Sequence, residues 1–265
     1  MQLPMNLFEV IGIGGKHVPR LGFGTMQLTG VGYWGGISKG EIKNAINVLR
    51  TAYELGVRHF DTADSYGPFL AEELLRDALY PYSDELLIAT KGGFTRQGPG
   101  VWQPVGRPEY LHQCVEMSLR RLRLEQIPLY YLHRIDPGVP FEDQIGVLDM
   151  LKSQGKIGHI GLSKVSAEDI EKALEITQIS AIQNKFNPTN ADDSVIRFCE
   201  VKNIPYVAYS PFSGGRIFEN NRHRKTKDIA VDTISWILKK SPTISVIPST
   251  TSASHLKEIC NSRNV

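Results

Sequence analysis

Residues 39–91, KGEIKNAINVLRTAYELGVRHFDTADSYGPFLAEELLRDALYPYSDELLIATK, change their hydrophobic period three times, and that alternation decides the fold. Over 39–56, Ile42, Ala45, Ile46, Leu49, Ala52 and Tyr53 fall on one helical face, and Gly56 stands where a helix C-cap belongs. Residues 57–61 then read as a strand. Residues 70–79 return to helical spacing through Leu70, Leu74 and Ala78, and residues 85–91 form a nearly continuous apolar run of the kind found in buried parallel strands.

The same unit repeats outward in both directions. A first strand is expected at 21–26. Downstream, helix 108–123 opens on Pro108, and helix 141–154 carries Phe141, Ile145, Leu148 and Leu151. A helix capped by Ser166 and helices at 191–202 and 228–240 alternate with strands at 129–133, 158–163, 181–186, 206–210 and 244–248, and a last helix begins near Ser252. Eight βα units predict an α/β fold, a (β/α)8 TIM barrel, with a doubly wound open sheet as the alternative. Residues 7–19, with Gly12, Gly14 and Gly15, read as an N-terminal β-hairpin ahead of it. Two long Gly-rich loops, 27–40 and 94–107, each carry a Trp and lie on the face at the C-terminal ends of the strands, where barrels bind ligands.

The chain has 265 residues, and nothing in the pattern marks a domain break, so residues 1–265 are expected to form a single domain. Thirty basic and 28 acidic residues leave a net charge of +2 with no long basic block, which argues against nucleic-acid binding. Cys114, Cys199 and Cys260 form no CxxC pair, so neither a disulfide framework nor a metal site is expected. No apolar run reaches the ~20 residues of a bilayer span, and no leader-like segment opens the chain. A cytoplasmic, membrane-free monomer is the expectation. The chain stops at Val265, early in its eighth helix, so a C-terminal segment is expected to be missing or very short.

Several short signatures fail on context. Residues 12–17 start like a dinucleotide fingerprint but end on His17 and open no helix, and residues 161–165 lack the closing glycine of a nucleophile elbow. The informative pattern is polar groups at strand ends: Asp61, Lys91 and His133 close consecutive strands, and Tyr66 follows Asp61 by five residues. Each alone has a plain structural reading, as a cap, a solvated strand end, a core histidine or a loop aromatic. Together they fall on one rim of the barrel, the face that carries active sites.

Residues 60–67 (FDTADSYG), 89–91 (ATK), 129–133 (LYYLH), 155–163 (GKIGHIGLS) and 206–211 (YVAYSP), in this order, resemble the aldo-keto reductase superfamily, with the likeness running over 22–256. Residues 24–30 (GTMQLTG) and 132–137 (LHRIDP) further resemble a subgroup that includes pyridoxal reductases. The resemblance implies an NADP-dependent enzyme that reduces a small aldehyde or ketone to the alcohol. It makes Asp61, Tyr66, Lys91 and His133 the catalytic tetrad. A phenol of pKa ~10 needs help to transfer a proton near neutrality. Lys91 is expected to lower it, Asp61 to hold Lys91, and His133 to bind the substrate oxygen. A rival from another class is a nucleotide-sensing regulatory or binding protein on the same barrel, which would have no need of Tyr66.

For the cofactor, the resemblance implies Ser163 and Gln183 on the nicotinamide carboxamide and Tyr209 stacked on its ring, with Lys164 where the family has Asn. Ser210 and Ser213 fall on the pyrophosphate side. Ser249, Thr250, Ser252 and His255 fall at the adenosine phosphate, where a helix N-terminus suits an anion. Ser249 and His255 replace a Lys and Arg often found there, and Arg216, Arg222 and Arg224 are candidate substitutes. No acidic residue occurs in 248–255 to take a ribose hydroxyl in the NAD manner, so a modest preference for NADPH is expected. Trp34, Phe94, Trp102 and Phe212 are candidates for an apolar substrate pocket.

Overall fold

The computed structural model describes residues 9–260. In chain order its elements are β1 (Val10–Ile13), β2 (Lys16–Pro19), β3 (Phe23–Gly24), α1 (Lys39–Glu54), β4 (His59–Asp61), α2 (Leu70–Leu79), β5 (Leu87–Gly92), β6 (Phe94–Gly98), β7 (Val101–Pro104), α3 (Pro108–Leu122) and β8 (Ile127–Leu132). There follow α4 (Phe141–Ser153), β9 (Ile157–Ser163), α5 (Ala167–Ile176), β10 (Ile179–Lys185), α6 (Ser194–Val201), β11 (Tyr206–Tyr209), α7 (Arg216–Glu219), α8 (Thr226–Leu238), β12 (Ile244–Ile247) and α9 (Ala253–Cys260).

Among the described residues, eight parallel strands pair in the order β3-β4-β5-β8-β9-β10-β11-β12. The ladder then closes on itself: Gly22 N–H donates to Val246 O at 2.9 Å, Val246 N–H to Arg20 O at 2.8 Å, and Gly24 N–H to Pro248 O at 2.9 Å. The fold is the expected (β/α)8 barrel. Local sequence explains its helices. Ser38 caps α1 in a capping box, its Oγ accepting from Glu41 N–H while its own N–H donates to the Glu41 carboxylate, and Ser166 with Asp169 does the same for α5.

Apolar side chains divide into two layers. Phe60, Ile88, Tyr130, Ile160, Ile182 and Ala208 point outward to the helices, while Leu87, Ala89, Leu129, Tyr131, Ala181, Val207 and Ile247 fill the barrel. Ile13 and Val18 join that inner cluster, so the β1–β2 hairpin plugs the end of the barrel opposite the active-site rim. The hairpin was expected over 7–19; Leu7 and Phe8 lie outside the described residues. Arg20, buried, secures the same end by donating to the carbonyls of Ile244, Leu238 and Ser241.

Some details differ from the sequence expectation. Residues 94–107, read as an irregular loop, contain the antiparallel pair β6–β7, turned at Gly100 (φ 72°). Helix α6 starts at Ser194 rather than 191; residues 187–190 form a hydrogen-bonded turn around Asn187, and Asp192 Oδ1 accepts the Ser194 N–H at 3.0 Å just ahead of the helix. Helix α8 starts at Thr226, two residues early. No helix among the described residues is long and apolar enough to cross a membrane.

Candidate active site

Strand β4 delivers Asp61 to the rim, β5 delivers Lys91 and the residue after β8 is His133; all three are buried, at 2%, 0% and 5% exposure. Lys91 Nζ donates to Asp61 Oδ1 at 2.5 Å and to Thr62 O at 2.8 Å. The other Asp61 oxygen accepts from Gln183 Nε2 at 2.7 Å, so one carboxylate fixes two side chains. Gly92 makes the tight packing behind Lys91 feasible: a Cβ there would stand 2.1 Å from Tyr130 Oη. Its carbonyl accepts the His133 N–H at 2.9 Å.

Tyr66, 7% exposed, sits beside this pair on the β4–α2 connection, with Lys91 Nζ 5.2 Å from its ring centre and the His133 ring centre at 5.7 Å. His133 Nδ1 meets Ser65 Oγ at 3.3 Å, which leaves Nε2 as the ring nitrogen without a hydrogen-bond partner among the described residues. Burial, followed by the charges of Lys91, Arg134 and Arg96, pushes the imidazole well below its ordinary pKa, so it is neutral. Burial also draws the Lys91 ammonium down, opposed by Asp61.

One expectation is corrected here. Lys91 was expected to draw the Tyr66 phenol down, yet burial and then the Asp61 carboxylate push it well above its usual value. The ammonium is neutralised by Asp61 at contact distance, so its field does not outweigh the cost of placing a phenolate in a dry site. Tyr66 therefore stands ready as a neutral O–H donor.

Asp61, Tyr66, His133 and Gln183 line a cavity of about 570 Å³ whose apolar wall includes Phe94, Trp102 and Phe212. Trp102 meets Tyr66 edge-on at 6.3 Å and Phe94 packs edge-on against His133 at 4.7 Å. Trp34 packs instead on Arg96, whose guanidinium carbon lies 5.5 Å from its ring and 3.6 Å from that of Trp102. The cavity continues past Gln27, Phe212, Gly214, Gly215 and Ser249 into a second one of about 440 Å³ between the starts of α8 and α9.

The residues expected at the cofactor separate along this groove. Ser163, Gln183, Tyr209 and Ser210 line the first cavity, Ser249 lines both, and Thr250 and His255 line the second. Ser213 and Ser252 have their hydroxyls engaged elsewhere: Ser213 Oγ pairs with Thr189 Oγ1 at 2.7 Å, and Ser252 Oγ accepts from His255 N–H and pairs with Ser254 at the start of α9. Lys164, in a left-handed conformation (φ 56°), also lines the first cavity.

Among the loop arginines, Arg224 is ion-paired with Asp232 and Arg216 donates to Ser213 O. Lys227, in the first turn of α8, lines the second cavity, and the sequence reading missed it. Arg134, directly after His133, was also missed although it lines the first cavity.

The aldo/keto reductase family model matches residues 20–231. The chain is 42% identical over 257 residues to an uncharacterized oxidoreductase of Schizosaccharomyces pombe, covering 93% of this chain and 82% of that protein. It is 37% identical over 261 residues to pyridoxine 4-dehydrogenase of Escherichia coli, covering 93% and 90%. An aldo-keto reductase from Klebsiella pneumoniae, solved in complex with NADPH, superposes with a TM-score of 0.76 at 20% identity, covering 98% of this chain and 89% of that one. With the barrel, the rim cluster and the groove in one chain and the family model spanning most of its length, this protein belongs to the aldo/keto reductase family.

Proposed function

We propose that this protein reduces an aldehyde or ketone to the alcohol with NADPH, and that pyridoxal, the aldehyde partner of the alcohol named for the Escherichia coli relative, is the first substrate to test. The observation that carries the reading is the convergence of Tyr66, Asp61 and His133 on the wall of one cavity, with Lys91 fully buried and bound to Asp61.

The groove suits a dinucleotide on its own chemistry. Gly214 and Gly215 line both cavities, and a Cβ on either would meet no protein atom within 4 Å, so the backbone is open to a close approach. With Nε2 of Gln183 engaged by Asp61, its Oε1 remains to accept from an amide, beside Ser163. Tyr209 offers a ring face, and Lys227 and His255 with the N–H groups at the start of α9 offer donors for phosphate. When bound there, the cofactor supplies the hydride to the carbonyl carbon.

The side chains do the rest. His133 Nε2 donates to the carbonyl oxygen and orients it, which requires the neutral imidazole to carry its proton on that nitrogen. Tyr66 gives its phenolic proton to the oxygen as negative charge develops, and Lys91, held by Asp61, stabilises the phenolate that remains. Phe94, Trp102 and Phe212 exclude water from the reacting atoms.

The test is loss of reduced-nicotinamide absorbance when purified protein is mixed with NADPH and pyridoxal, benzaldehyde or short aliphatic aldehydes. Turnover with at least one carbonyl compound is expected. NADPH binding without turnover on any of them would point to a nucleotide-binding role instead.

A further inference from the structure

We propose that Arg134 recognises an anionic oxygen group carried by the substrate, so that the preferred substrates are carbonyl compounds bearing a carboxylate or a phosphate; this rests on the carbonyl-reductase reading above. Arg134 is half-buried and lines the cavity directly beside His133. Its Nη1 donates to His133 O at 2.6 Å and to Ser163 Oγ at 3.1 Å. Its guanidinium carbon lies 5.6 Å from the centre of the Phe94 ring, on the aromatic wall that also holds Trp102.

The other edge of the guanidinium, Nε–H and Nη2, has no hydrogen-bond partner among the described residues, and no carboxylate pairs with it. The nearby acids are engaged elsewhere. Asp61 is bound by Lys91 and Gln183, and Asp136 accepts the backbone N–H groups of Gly106 and Gly138. A guanidinium offers its free donors as a planar fork that fits a carboxylate or phosphate with two parallel hydrogen bonds. A cation in a partly desolvated cavity without a counter-charge is costly, and an anionic ligand group removes that cost. The position is also right for specificity, because the guanidinium is fixed by the same residue that binds the carbonyl oxygen, so it reads the substrate at a set distance from the reacting carbon.

The experiment compares paired substrates in wild type and Arg134→Gln: para-carboxybenzaldehyde against benzaldehyde for a carboxylate, and pyridoxal phosphate against pyridoxal for a phosphate. Wild type is expected to favour the anionic member of at least one pair, and the pair with the larger ratio identifies the anion. In Arg134→Gln that ratio should fall by about 10- to 100-fold, the worth of a charge-assisted pair, through KM rather than kcat. Damage from losing the Nη1 bonds affects both members of a pair and cancels in the ratio.

Titration of the NADP-loaded protein with benzoate, followed by tryptophan fluorescence, gives a readout that needs no turnover, and benzoate affinity should fall by a similar factor. Unchanged ratios with unchanged benzoate affinity would overturn the proposal. So would a loss of NADPH affinity as large as the loss for benzoate, which would assign the guanidinium to the cofactor. A wild type that reduces no carbonyl compound would refute the proposed function, while the benzoate titration would still decide the role of Arg134.

Discussion

Tyr66 and Asp64 are two residues apart on the same turn, yet their surroundings give them opposite consequences. Tyr66 opens onto the cavity, and burial keeps its phenol protonated. Tyr66→Phe keeps the ring packing against Trp102 and removes only the proton donor. Reduction should fall by at least about 100-fold, the usual contribution of a positioned acid, while NADPH affinity stays near wild type in a fluorescence titration. Retained turnover would exclude Tyr66 as the acid. Asp64 faces inward, 2% exposed, with Oδ1 unpaired among the described residues. Burial, and then the Glu72 carboxylate, raise its pKa to about 7. A carboxyl whose pKa is higher folded than unfolded contributes most to stability below its ordinary value, and that contribution is lost as pH rises through about 7. Asp64→Asn removes the penalty. In urea melts it should be more stable than wild type at about pH 8, by on the order of 2–4 kcal/mol, with the difference shrinking toward about pH 4. Parallel stability curves at all pH values would contradict this account.

At the scale of elements, the β6–β7 hairpin is the cover of the cavity, and Arg96 ties it down. Its guanidinium donates to Tyr33 O at 2.9 Å, Gly32 O at 3.1 Å, Ser65 O at 2.6 Å and, within the hairpin, Val101 O at 2.9 Å, while stacking on Trp102. One side chain thus joins three segments that approach from different strands: the loop after β3, the turn that carries Tyr66, and the hairpin itself. Arg96→Ala should loosen Trp102 from the cavity wall. We expect KM for an aromatic aldehyde to rise roughly tenfold, the worth of one or two hydrogen bonds, with faster proteolysis inside residues 94–104 and little change in Tm. Arg96→Lys should behave like Ala, because a point charge cannot reach carbonyls on three segments at once. If Lys restored both KM and protease resistance, charge rather than the planar fork would be what matters.

At the scale of the molecule, the barrel sets the chemistry on its rim and extends the groove outward between α8 and α9. At the end of the groove proposed for the adenosine phosphate, Ser249 and His255 stand where the resemblance implies Lys and Arg, and Lys227 enters from the start of α8. Lys227 is solvent-exposed, so its contribution is bounded. Lys227→Ala should weaken NADPH binding by roughly two- to fivefold, the range for an exposed charge pair, and leave NADH binding unaltered. Equal losses for both nucleotides would mean that Lys227 does not sense the extra phosphate. In wild type the same reasoning gives a modest preference for NADPH, checked by the two dissociation constants.

The sequence by itself determined the repeating unit and the rim. Each strand and helix carries its own period, and local signals such as the Ser38 and Ser166 capping boxes set where the helices begin. A side chain at the C-terminal end of a parallel strand is bound to reach the same face as its neighbours, so Asp61, Lys91 and His133 could be grouped before any contact was known. The tertiary structure decided what depends on distance between segments remote in sequence. Gln183 meets Asp61 across 122 residues, Arg96 spans three loops, and Lys227 on α8 lines the same cavity as Gln27, Phe212, Ser249 and His255. None of these has a local signature, because a lysine in the first turn of a helix or an arginine in a loop reads as solvated until the opposite wall is in place. The protonation of Tyr66 was likewise out of reach, since it depends on how much water the assembled cavity excludes and on which charge Lys91 has already neutralised.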